Sequence, residues 1–126
     1  MRRTVTIGTA FVGTLLAGTF ALLPGAVAHA FLDHANPLVG STVRGSPAEV
    51  KLWFTEALEP AFSTLRVVDQ GGAQVDQGNK AVDPADRTVL KVSLRPLAPG
   101  SYKVVWRVLS IDTHTTEGSF SFSVAP

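Results

Sequence analysis

The stretch "YKVVWRVL", Tyr102–Leu109, decides the fold. Tyr102, Val104, Trp106 and Val108 fall on one side of an extended chain and Lys103 and Arg107 on the other, because successive strand side chains point to opposite faces. A helix would repeat its apolar residues every three to four positions. The period of two returns along the chain. In "EVKLWF", Val50, Leu52 and Phe54 oppose Lys51 and Trp53; in "STLRVVD", Leu65 and Val67 flank Arg66. In "RTVLKVSL", Leu90, Val92 and Leu94 oppose Lys91 and Ser93, and in "GSFSFSV" Phe120, Phe122 and Val124 oppose Ser119, Ser121 and Ser123. Gly45-Ser46-Pro47, Gly71-Gly72, Asp83-Pro84 and Pro99-Gly100 punctuate these runs. Gly accepts the positive φ of tight hairpins, so Gly71-Gly72 predicts a hairpin between "LRVVDQ" and "AQVDQ". Short alternating segments separated by Pro and Gly predict an all-β sandwich or barrel. Trp53 and Trp106 read as packing residues of those strands.

Upstream of the strands, Arg2 and Arg3 precede an apolar region closed by Leu23-Pro24-Gly25 and two small-x-small frames, Ala26-Val27-Ala28 and Ala28-His29-Ala30. This is the layout of a secretory signal peptide, and no basic stop-transfer cluster follows it. Cleavage after Ala28 divides the chain into a signal peptide, 1–28, and one domain, 29–126. Removal of 28 of the 126 residues leaves 98, enough for one core and too few for two. It takes Arg2 and Arg3 away, so 11 basic side chains become 9 against 10 acidic ones, a formal charge of −1. The basic residues are scattered, which argues against a nucleic-acid surface. The chain has no Cys, so an exported domain of this size depends on its packed core and offers no thiolate as nucleophile or soft ligand. Its single Met is Met1, so the domain has no thioether either.

The three histidines, His29, His34 and His114, lie near the two ends of the domain. Asp112 and His114 are two apart, so an extended segment projects both from one face. Cleavage after Ala28 would make His29 the first residue, whose α-amine and Nδ1 close a six-membered chelate ring on one ion. The amine's reference pKa of ~7.7–8.0 lets a strongly competing cation displace its proton near neutrality. With Asp112 and His114 the donors are nitrogen and oxygen, which suits Cu(II). Cleavage after Ala30 would discard His29, and a frayed, solvated terminus is a further alternative. Alternation in "HAFLDH" puts His29, Phe31 and Asp33 on one side and His34 on the other, so His34 is expected to face solvent.

The segments "HAFLDHANPLVGS", "LWFTEALEP" and "YKVVWRVLSIDTHTTEGSFSFSV" together resemble the CopC (PcoC-like) family of periplasmic copper-resistance proteins over nearly the whole of 29–126. The pattern includes the spacing from His29 to Pro37 and the run Ser110, Asp112, His114, Gly118, Phe120, Phe122. The resemblance implies a small Greek-key β-barrel or sandwich, cupredoxin-like or Ig-like, that binds one Cu(II) ion through His29, Asp112 and His114. It favours cleavage after Ala28. It also matches Glu56 to a glutamate that lies near the metal in some members, which gives it the role of a weak ligand or of a hydrogen-bond partner of the His29 amine; an exposed strand-end carboxylate is the alternative. Implied with it are a periplasmic or otherwise extracytoplasmic location, a monomer, and a carrier or buffer role with a CopD-like permease as possible recipient. The missing thioethers argue against a second, Cu(I) site of the kind some members carry. The alternatives are a copper mono-oxygenase-like enzyme, for which the chain is short and Asp112 would take a coordination position, and a metal-free interaction domain. The expectation is a binding protein rather than an enzyme.

Overall fold

The computed structural model describes residues 29–126. The expected signal peptide lies outside the described residues. Eight strands follow one another: β1 Leu32–Asn36, β2 Thr42–Val43, β3 Glu49–Phe54, β4 Thr64–Asp69, β5 Ala81–Asp83, β6 Asp86–Ser93, β7 Gly100–Leu109 and β8 Thr115–Val124, with a 3-10 turn at Pro60–Phe62. They form two sheets of order β1-β3-β6-β5 and β2-β8-β7-β4. With the two-residue β2 set aside, the other seven strands take the ABED and CFG order of an immunoglobulin-like sandwich. Between the sequence expectations of cupredoxin-like and Ig-like, the strand order is Ig-like.

The alternating residues do what their period dictates. Val50, Leu52, Phe54, Leu65, Val67, Leu90, Val92, Leu94, Tyr102, Val104, Trp106, Val108, Phe120, Phe122 and Val124 are all buried in one core between the sheets. Burial of one such side chain, Phe122 for example, contributes ~1.5–3 kcal/mol. With no disulfide, this core holds the domain together. Trp106 packs edge-on against Phe54 at 5.2 Å and faces Gly118 across the ladder. A Cβ on Gly118 would meet the indole at 2.6 Å, so glycine is required there for the ring to lie flat on its neighbour.

At the start of β7 the Tyr102 hydroxyl donates to the Ala98 carbonyl at 2.5 Å. This is the tyrosine corner of immunoglobulin-like sandwiches, which fastens the crossover entering that strand. At the other side of β4, Gly72 (φ +86°) closes the expected turn, but the return limb makes no regular strand. Instead, Val75 N–H donates to Val67 O (2.8 Å), while Val67 N–H and Gly78 N–H donate to the carboxylate of Asp76, each at 2.8 Å. Asp76 is 1% exposed and its third partner is the Gln74 amide at 2.7 Å.

β1 departs from simple alternation. Its ladder with β3 shifts register between Leu32 and His34, a bulge that leaves both Asp33 and His34 exposed. The expected opposition of His34 to Asp33 therefore fails, because the extra residue resets the alternation after Leu32; His34 is solvent-facing as expected. Val89 is a second departure: it is buried although Leu90 faces the core, since the ladder sets it opposite Trp53 on the outer face. Among the described residues no helix is long and apolar enough to cross a membrane.

Candidate metal centre

The β7–β8 hairpin carries two of the expected residues at its tip. Ser110 N–H donates to His114 O (3.0 Å) and Thr113 N–H to Ser110 O (2.9 Å), leaving a three-residue loop, Ile111-Asp112-Thr113. Such a loop ends in a left-handed residue, usually Gly. Here it is Thr113 at φ +71°, a β-branched residue in a conformation that costs ~1–3 kcal/mol.

Ser110 is buried, and its hydroxyl donates to Asp112 Oδ1 while accepting the His114 N–H at 3.3 Å. One serine thus ties the carboxylate to the backbone of the histidine. His114 Nδ1 lies 3.4 Å from Asp112 Oδ1, close enough for attraction but without hydrogen-bond alignment. That nitrogen is buried with no hydrogen-bond partner among the described residues. An orphaned nitrogen next to a carboxylate is a donor waiting for a cation or a proton.

His29 arrives from the far end of the chain. Its carbonyl accepts from Thr55 Oγ1 (3.2 Å), the Phe31 N–H donates to the same oxygen (3.0 Å), and Thr55 N–H returns to Phe31 O (2.9 Å). Ala30, fully buried, has its carbonyl held by Thr116 Oγ1 at 2.5 Å. The first residues are thereby stitched between the end of β3 and the start of β8. The His29 ring rests 4.6 Å from the His114 ring, tilted by 35°, and 5.7 Å from the Phe31 ring, nearly parallel at 16°.

The fold therefore brings His29, Asp112 and His114 to one end of the sandwich. Their donor atoms do not converge: among the described residues no group of three or more His, Asp or Glu is arranged to hold a metal ion. The fourth expected donor, the α-amine, is an amide nitrogen while Ala28 precedes His29. Glu56, next to Thr55, is exposed and makes no hydrogen bond or ion pair among the described residues. His34 takes no part. It stacks on Trp53 at 4.3 Å on the outer face, with Nδ1 2.6 Å from Asp33 Oδ2. The anchoring roles of Thr55 and Thr116 had no sequence signal, because threonine is common at strand ends.

An immunoglobulin-order sandwich that gathers imidazole and carboxylate at one end, with no sulfur donor, defines a class of small β domains suited to borderline cations. Within that class the chain belongs to the CopC family, whose model, the CopC domain, matches residues 32–125. It is 37% identical over 105 residues to copper resistance protein C of Xanthomonas campestris pv. juglandis, covering 79% of this chain and 82% of that protein. The crystal structure of CopC from Methylosinus trichosporium OB3b aligns with a TM-score of 0.73 at 39% identity, over 78% of this chain and 95% of that one. PcoC from Escherichia coli, described as a methionine-rich copper resistance protein, aligns with a TM-score of 0.66 at 32% identity, over 77% and 99%. The Xanthomonas and Escherichia coli proteins are named for copper resistance, not for a reaction they catalyse.

Proposed function

We propose that this chain is the precursor of an extracytoplasmic copper-binding protein of copper resistance and homeostasis. Export and cleavage between Ala28 and His29 release a 29–126 domain that binds one Cu(II) ion as a monomer. The His29 amine and imidazole, the Asp112 carboxylate and the His114 imidazole are the donors, and Glu56 steadies the amine once processing has created it. Copper is cargo here. The domain buffers it or carries it to a membrane permease of the CopD type.

The observation that carries this reading is the meeting of His29 with His114, 85 positions apart, beside an orphaned His114 Nδ1 and the Asp112 carboxylate. The donor set supports the oxidation state: imidazole, amine and carboxylate suit Cu(II), whereas Cu(I) selects thioether and thiolate. The described residues contain neither Met nor Cys, in contrast to the methionine-rich PcoC.

The test is a Cu(II) titration of the processed protein beside a variant with one extra residue before His29. The extension turns the amine into an amide and is expected to weaken binding by at least a hundredfold, because it opens the chelate ring and leaves the imidazole alone. Equal affinities would remove the amine from the site.

A further inference from the structure

Phe31 is an exposed aromatic beside the candidate centre and is not part of the buried core. It is 58% exposed, so more than half of its surface stays in water. Its backbone is fixed on both sides through Thr55, and its ring lies nearly parallel to His29 at 5.7 Å. From Ala30 onward the chain is anchored by burial and by Thr116, so the freedom left to His29 is that of its own side chain and of the bonds before its carbonyl. Two rings limit that freedom, those of His114 and Phe31. Once His29 and His114 share an ion, Phe31 is the neighbouring ring that still restrains His29.

We infer that Phe31 is a positioning residue for the first ligand: its ring limits the excursions of the His29 imidazole and shields that ligand from incoming competitors. The inference rests on the reading of His29 as a ligand. Cu(II) leaves such a site by ligand exchange, in which a competing donor enters as a protein donor swings away. An apolar ring against the terminal donor slows both motions, since apolar surroundings govern solvent access to a metal site. Phe31 is therefore expected to set the rate of copper transfer more than the identity of the donors.

The test uses protein exported from the full 126-residue chain and purified after processing, with its first residue checked by mass. One equivalent of Cu(II) is loaded, and transfer to EDTA is followed by absorbance in stopped flow for wild type, Phe31→Ala, Phe31→Leu and Phe31→Trp. Phe31→Ala is expected to release copper about tenfold faster, the scale typical of groups that orient a metal ligand. Phe31→Leu should fall between, and Phe31→Trp should restore slow release, with the electron paramagnetic resonance parameters of the ion unchanged throughout. Identical release from Phe31→Ala and wild type would overturn the role of Phe31 and leave the metal site standing. A His29→Ala protein that binds copper as tightly as wild type would overturn the site itself. The metal-free unfolding midpoint of Phe31→Ala should stay within about 4 °C of wild type, as for other surface changes. A larger fall would make the ring a packing residue and count against the inference.

Discussion

Ser110 carries more of the candidate centre than its size suggests. Its hydroxyl reaches both the Asp112 carboxylate and the His114 backbone, so its loss would remove a hold on the carboxylate and take the partner from a part-buried N–H. Ser110→Ala is expected to weaken Cu(II) binding by roughly 10- to 100-fold and to lower stability by about 1–2 kcal/mol. Competition with a chelator and urea unfolding of the metal-free protein check the two separately. A purely structural serine would move only the second. Thr113 shows why such a tip is built with strain: its left-handed backbone turns the chain within three residues, so that Asp112 and His114 meet. The run Ser-x-Asp-x-His was legible as a pattern. The hydroxyl bond that makes it one unit was not, because it depends on the φ of Thr113.

At the scale of the elements, the long β7 separates two ends with different duties. Tyr102 sits near its start and Ser110 just past its end, about 26 Å away at the rise of a strand. Tyr102→Phe removes the hydroxyl that holds Ala98 and is expected to cost about 0.5–1.5 kcal/mol in a denaturant titration. Copper affinity should not change, since the loss is at the opposite end. The period-two runs were readable without coordinates because each strand has one apolar face, and each such face is buried. What escaped was whatever depends on a partner strand. The bulge at Asp33 follows from the register with β3, and Val89 is buried because Trp53 lies opposite. Asp76, in the "AQVDQ" limb of the expected hairpin, gave no sign of burial, because its three donors gather only when the limb folds back onto β4.

For the whole molecule, the candidate centre joins the first described residue to the last hairpin. An ion held there would close the sandwich across its two sheets, because His29 leads into β1 of one sheet and His114 into β8 of the other. Cu(II) at a hundredfold excess over its Kd should stabilise the processed protein by about 2.7 kcal/mol, a rise of roughly 10–20 °C in the unfolding midpoint for a domain of this size. Differential scanning calorimetry checks the value. The gain should fade on acidification, as protons compete for the amine and imidazole nitrogens, and should largely disappear when a residue precedes His29. That closeness of the two ends was out of reach of any local pattern. It is set by the strand order, which places residues 85 positions apart side by side.

The buried carboxylate beside β4 has an effect beyond its own loop. An outermost strand ordinarily displays a row of vacant amide donors and carbonyl acceptors to any passing chain, the usual start of sheet-to-sheet aggregation. Around Val67 that row is already filled, its N–H by Asp76 and its carbonyl by Val75, and Asp69 N–H is taken by Ala73. A foreign strand finds no ladder to extend there, so a domain without disulfides is kept from growing into fibres along this border.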